Sequence, residues 1–188
     1  MVIETNRLLL ILLDDNILQK YKQDLIDLNA DKDVRSYYPT GVATEDQTLE
    51  RMKEFVEFYQ KHNTPSFVIL SKLGTECYGR CGFSILPNGE TEVGYLLHKK
   101  FWGQGYATEV LEALLIWAKE KLNVAYIIGY APVEHKASQK VMQKCGMIHY
   151  KTEKDQMYGT ICTFYKYILP RSQPGDFCGK SIIKFLDR

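Results

Sequence analysis

The stretch KFWGQGYATE, Lys100 to Glu109, places Gly103 and Gly105 just ahead of the apolar-periodic segment VLEALLIWAKEKL. The first N–H groups of a helix have no partner inside the helix, and the helix dipole adds partial positive charge there, so such a point suits phosphate oxygens. Glycines let the backbone approach a ligand closely and turn through angles that a side chain forbids. The spacing fits neither common nucleotide loop. Thr108 stands where a dinucleotide fold needs its third glycine, and no Gly-Lys-Ser/Thr follows. A pyrophosphate would be a suitable guest; the local pattern alone leaves a simple strand-to-helix turn as the alternative.

Other chemistry-bearing residues are weaker as signals. Cys77 and Cys81 form a C-x-x-x-C pair inside CYGRCGFSIL, whose alternation reads as a strand. Four residues along a strand is roughly 13 Å, too far to share one zinc ion, and the histidines at 62, 98, 135 and 149 form no second cluster, so no metal is expected. Gly179-Lys180-Ser181 resembles a phosphate loop, but Pro174 occupies the position of its first glycine and no strand precedes it, which excludes a nucleoside-triphosphatase.

The elements that must position the glycine turn follow from periodicity. RLLLILL reads as a strand, and NILQKYKQDLIDLN and ATEDQTLERMKEFVEFYQKH as two helices, the second with a Thr44/Gln47 capping box. SFVILSK, CYGRCGFSIL and TEVGYLLH follow as three strands joined by hairpin-like turns, LGTE and PNGE. After the turn come a helix to about Leu122, the strand VAYIIGYAP, a helix from EHKASQKVMQKCG, and the strands MIHYKTEK and TICTFYKYIL. This predicts an α+β domain with a mixed, mostly antiparallel central sheet of about seven strands flanked by about four helices. The crossover through the helix makes TEVGYLLH and VAYIIGYAP parallel neighbours, with the glycine turn at a strand's C-terminal end, where sheets of this kind bind ligands. Residues 1–169 form the domain in this scheme, and 170–188 a tail.

Composition narrows the classes. A chain of 188 residues that is 45% hydrophobic and 25% charged can bury a full core. With 24 basic against 23 acidic residues there is no electrostatic footprint for nucleic acid or an anionic membrane. The apolar run near the N-terminus is closed by two aspartates and is too short to span a bilayer. Five cysteines at irregular spacing point to reduced thiols in a cytoplasmic protein, monomeric or homodimeric.

The combination of EVGYLLHKKFWGQGYATEVLEALLIWA with HKASQKVMQKCGMIHY some 30 positions on resembles the acetyl-CoA-binding core of the GCN5-related N-acetyltransferases. The Trp-Gly-Gln-Gly-Tyr-Ala form is similar to the branch that includes bacterial ribosomal-protein N-acetyltransferases, and the likeness extends over about residues 3–169. The resemblance implies that the phosphate turn falls on Trp102, Gly103, Gln104, Gly105, Tyr106 and Ala107, with Thr108 next to it, and that backbone amides from Gln104 to Ala107 hold the pyrophosphate. It implies that the pantetheine arm lies along Tyr95, Leu96 and Leu97, where a backbone N–H polarises the thioester carbonyl. It also implies that the two parallel strands splay apart around the acyl group.

Three positions depart from that family's pattern. Trp102 replaces a glutamine or arginine, which removes a side-chain contact to phosphate and leaves Lys99 and Lys100 as possible sources of charge. His135 stands where relatives carry a cofactor-contacting asparagine, in a pattern completed by Ser138; one imidazole cannot reproduce an amide's paired bonds. Met142 falls where several relatives have the tyrosine that protonates the departing thiolate, although a thiol of pKa ~8.5 is a tolerable leaving group unaided.

Acetyl transfer implied by this resemblance needs a neutral amine, and a lysine-type amine has a pKa of ~10.4, so a base is required. Glu92 is the first candidate, because ETEVGYLL projects Glu92, Gly94 and Leu96 to one strand face; His98 and Tyr130 are weaker ones. The acceptor is expected to be a protein N-terminal amine or a small amine. A non-catalytic acetyl-CoA-binding sensor is the alternative that the changes at His135 and Met142 permit.

Overall fold

The computed structural model describes residues 1–157, 160–170 and 183–186. Among them run nine strands in one sheet: β1 (Val2–Glu4), β2 (Leu8–Leu12), β3 (Ser66–Ser71), β4 (Cys77–Ile85), β5 (Thr91–Leu97), β6 (Tyr126–Pro132), β7 (Ile148–Met157), β8 (Thr160–Pro170) and β9 (Lys184–Leu186). Five α-helices accompany them: α1 (Asp15–Lys20), α2 (Lys22–Ala30), α3 (Glu45–His62), α4 (Tyr106–Lys121) and α5 (Lys136–Lys144). The spatial order is β7-β8-β6-β5-β4-β3-β2-β1-β9. β5 and β6 form the parallel pair, and every other neighbouring pair is antiparallel.

The mixed, mostly antiparallel sheet of the sequence reading is present, with its parallel pair at the predicted crossover. The element counts differ for local reasons. Thr5 hydrogen-bonds back to Leu8, turning the N-terminal residues into a separate β1–β2 hairpin. The first predicted helix divides at Tyr21, which ends α1 and opens α2 with φ −109° and ψ 20°, outside helical geometry. Lys184–Leu186, inside the segment read as a tail, add β9 to the edge of β1. Cys178 and the Gly179-Lys180-Ser181 motif lie outside the described residues.

Alternation along the strands sorts side chains to two faces. Ile3, Leu8, Leu10, Phe67, Ile69, Cys81, Phe83, Val93 and Leu97 pack with the buried face of α4 and with Met142 of α5. Val68, Leu70, Cys77 and Leu96 face the other way, against α1, α2 and α3. Cys77 and Cys81 thus belong to opposite cores and cannot share a ligand. The Thr44/Gln47 capping box forms as expected at the start of α3, and Asn63 ends that helix at a left-handed φ of 55°. The turns predicted at LGTE and PNGE close through Ser71 N–H to Glu76 and Leu86 N–H to Glu90. No helix among the described residues is long and apolar enough to cross a membrane.

Candidate active site

β5 and β6 pair at Glu92 and Ile128 and then separate. From Val93 to Leu97 one edge of β5 is held by β4 while the other has no strand partner among the described residues. This opens a wedge along Tyr95, Leu96 and Leu97, the positions that the family resemblance assigns to the pantetheine arm. Leu96 and Leu97 are buried on opposite faces and anchor the strand in both cores.

The glycine turn caps this wedge. Gly103 and Gly105 adopt φ +73° and +81°, and Gly105 is the N-cap of α4 with no side chain capping it. The amides of Tyr106, Ala107 and Thr108 therefore open the helix without intrahelical partners. A Cβ on Gly103 would meet no atom within 4 Å, and one on Gly105 only Arg7 at 3.5 Å. The turn faces open space, so glycine serves here for its backbone angles. Around it, Trp102 donates its indole N–H to Leu97 O at 2.8 Å, fastening the turn to the end of β5. Gln104 donates to Lys100 O at 2.9 Å. Thr108 O receives the Cys145 thiol at 3.5 Å, tying α4 to α5.

Lys99 and Lys100 do not reach the turn: Lys99 pairs with Asp33 at 2.6 Å and Lys100 with Glu76 at 2.7 Å. The cation there is Arg7, which sequence reasoning missed. Its guanidinium bonds Gln104 O at 3.0 Å and covers the Tyr106 ring at 4.2 Å. Glu109 holds it in place, accepting from Arg7 Nε at 2.6 Å, Arg7 N at 2.8 Å and the Thr5 hydroxyl at 2.6 Å. The signal for Glu109 was a carboxylate inside the apolar face of a helix; nothing in the sequence singled out Arg7 as its partner.

His135 and Ser138 line the other side of the wedge, at the start of α5. The Ser138 hydroxyl lies 2.9 Å from the Tyr95 phenol. Burial raises the phenol's pKa well above its usual value, with the Ser138 contact pulling it partly back, so it stays a proton donor. The His135 ring stacks on Tyr37 at 3.9 Å and 6°. Its Nδ1 is buried without a hydrogen-bond partner, and desolvation lowers its pKa, leaving a neutral imidazole. Met142 fills the space beneath Gly129 of β6, where a Cβ would meet its Cε at 3.0 Å.

On the α3 side of the sheet, a cleft of ≈ 500 Å³ runs up to the open edge of β5. Glu92, Gly94 and Tyr95 form its floor with Arg80 and Ser84 of β4; Arg51 and Phe55 of α3 and Tyr38 of the α2–α3 loop supply walls. Burial pushes the Glu92 carboxyl up to about 7; the Ser84 hydroxyl, donating at 3.4 Å, and the Arg51 charge partly oppose this. A carboxyl that titrates near neutral pH beside an open strand edge can accept a proton from an amine held in the cleft. The other two candidate bases do not line this cleft. His98 follows β5 and clusters with Asp24 and Cys77, and Tyr130 pairs across β6 and β8 with Lys166, whose ammonium stands 5.8 Å from its ring. Cys77 and Cys145 are buried, their thiols pushed up to about 12, and Cys81 is raised further, so none offers a thiolate nucleophile.

The residues present fit an elongated, phosphate-bearing thioester. The turn offers helix-opening amides and Arg7, the β5 edge offers a strand edge with no strand partner among the described residues, and the orphaned His135 nitrogen offers one more bond. A parallel pair that splays, a phosphate-type turn at the head of the crossover helix and a carboxylate cleft on the opposite face define an acetyltransferase domain. The family model for the acetyltransferase (GNAT) domain matches residues 11–148, and the chain belongs to that family. It is 29% identical over 126 residues to the uncharacterized N-acetyltransferase YnaD of Bacillus subtilis, covering 66% of this chain and 72% of that one. It is 42% identical over 62 residues to an FsC-acetyl coenzyme A-N(2)-transacetylase of Aspergillus fumigatus, which takes in 33% of this chain but only 26% of the relative. Among solved structures, RimL, a ribosomal L7/L12 alpha-N-protein acetyltransferase in complex with coenzyme A, superposes with a TM-score of 0.72 at 21% identity, over 88% of this chain and 94% of that one.

Proposed function

We propose that the chain moves the acetyl group of acetyl-CoA to a primary amine by direct attack in a ternary complex, in the cytoplasm. The observation that carries this is the meeting of two features at one strand: the open edge of β5, and Glu92 on the face that floors the cleft. The first suits a thioester arm and the second a neutralised amine, so the reacting groups are aligned across a single backbone.

In this scheme the amides from Gln104 to Ala107, with Arg7 beside them, hold the pyrophosphate. Backbone N–H groups along Tyr95 to Leu97 orient the arm and stabilise charge on the carbonyl oxygen. Glu92 takes the amine's proton, directly or through one water. The cleft, walled by both arginines and carboxylates, is open enough for the N-terminal end of a polypeptide; the ribosomal-protein acetyltransferase of similar fold supports a protein N-terminal amine as acceptor, and a small amine is the second possibility.

The test is a thiol-release assay with acetyl-CoA against a panel of N-terminal peptides and small amines, run beside a coenzyme A melting shift. Turnover with any amine supports the transfer reaction. A clear melting shift with no turnover across the panel would instead favour a sensor that binds the cofactor without catalysis.

A further inference from the structure

Away from the cleft, three side chains of metal-binding type converge beneath the far end of β5. Asp24 comes from α2, Cys77 opens β4 and His98 follows β5; one ligand atom of each lies within 4.8 Å of the others. Cys77 is buried, at 3% exposure, whereas Asp24 and His98 are half-buried. The group therefore forms a pit with a sulfur at its floor and solvent at its rim.

Each member is presented from a different direction. The Cys77 sulfur has one long contact, 3.8 Å to Gly79 O. The His98 backbone N–H bonds Tyr78 O at 2.9 Å, which fixes where the residue leaves the strand. Asp27 and Glu76 add negative charge around the pit, and Lys100, ion-paired with Glu76, adds one positive charge near Cys77 and His98.

We propose that Asp24, Cys77 and His98 form a binding site for one zinc-class divalent cation, with water as the fourth ligand. A sulfur and an imidazole nitrogen select borderline-soft ions over magnesium or calcium, which take oxygen ligands. Tetrahedral bonds of ~2.0–2.3 Å place ligand atoms about 3.3–3.8 Å apart, so the observed grouping needs only a small inward rotation of half-buried side chains. On binding, the Cys77 thiol gives its proton to solvent and a sulfur–metal bond forms. The two positive charges of the ion are then balanced by one thiolate and one carboxylate, a neutral assembly suited to a pit of this depth. The ion pins α2 to the sheet, and α2 leads into the loop that walls the acceptor cleft, so binding stiffens that wall from a distance without entering the transfer reaction.

The full chain, stripped with chelator, is titrated with cobalt(II) and then zinc. One equivalent of cobalt should bind with the charge-transfer band of a cobalt–thiolate bond, zinc should displace it, and zinc should raise the melting temperature. Cys77→Ser should remove the band. His98→Ala and Asp24→Asn, both at the half-buried rim, should each weaken binding at least ~10-fold, and they decide the matter if Cys77→Ser does not fold. Glu92→Gln should bind metal like the wild type. A thiolate band that survives Cys77→Ser, affinity unchanged in both rim variants, or no stoichiometric binding would each overturn the site.

Discussion

The Tyr95 phenol and the Ser138 hydroxyl stand 2.9 Å apart, joining β5 to the start of α5 across the gap that opens beyond Glu92 and Ile128. With Met142 packed under β6, these two groups place O–H donors at the open edge, and under the proposed reaction either would serve a departing thiolate through the other. Tyr95→Phe and Ser138→Ala should each lower kcat ~10-fold or more with modest loss of stability. Because they act as a pair, the double variant should be no slower than the worse single one. Additive losses, or kcat untouched in both, would dissolve the pair.

The phosphate turn makes a separate prediction. Gly105 sits at φ +81°, so Gly105→Val costs ~1–3 kcal/mol of stability through backbone strain alone. The branched side chain also projects over the helix-opening amides that the proposal assigns to the pyrophosphate. The folded variant should show no melting shift with coenzyme A. A shift equal to that of the wild type would remove the phosphate assignment.

The turn, the strand carrying Glu92 and the crossover were legible in the sequence because each rests on local pattern: glycine spacing, alternation, and a helix between two strands. What joins them was not. Arg7 and Glu109 are 102 positions apart in sequence, and a buried carboxylate signals that it needs partners without naming them. His98 looked like a neighbour of Glu92 because both lie on one strand face, but six residues of strand span roughly 20 Å, and the end of β5 delivers it to Asp24 and Cys77 instead. The split of the first helix at Tyr21 was hidden because the apolar positions continue in phase on both sides.

Glu109 yields a stability prediction. It is buried and accepts three hydrogen bonds, from Thr5 and twice from Arg7. Glu109→Ala takes the acceptor from the Arg7 amide, leaves the Thr5 hydroxyl with only its longer contact to Leu8 O and its bond from Leu8 N–H, and removes the guanidinium's ion pair. The expected cost is about 3 kcal/mol, discounted because Arg7 is half-exposed, or roughly 10 °C in melting temperature. Coenzyme A should also bind more weakly in the folded fraction, since Arg7 no longer stands at the turn. A variant that melts within a degree or two of the wild type would show that these bonds merely replace equivalent ones to water.

Under the proposed function Glu92 is the base. Burial raises its carboxyl from 4.5 to about 7. The folded state therefore binds this proton more tightly than the unfolded chain does, so this group's contribution to stability falls as pH rises from about 4.5 to about 7 and is constant above. Glu92→Gln removes that penalty. The variant should gain on the wild type in melting temperature between pH 5 and pH 8, and the difference should level off beyond. Its kcat should fall ~10²-fold or more, with coenzyme A affinity nearly unchanged, because the proposal places the cofactor on the turn and the open edge of β5 and not on the Glu92 side chain. Wild-type kcat should rise through an apparent pKa near 7, whereas the variant should recover only at higher pH, as more of the amine becomes neutral unaided. The acceptor's own titration can imitate that rise, so the comparison requires an amine of low pKa, already neutral across the range. If the variant gains stability with pH as described while its kcat stays within a few-fold of the wild type, the carboxyl is desolvated but is not the base, and proton removal passes to a water in the cleft.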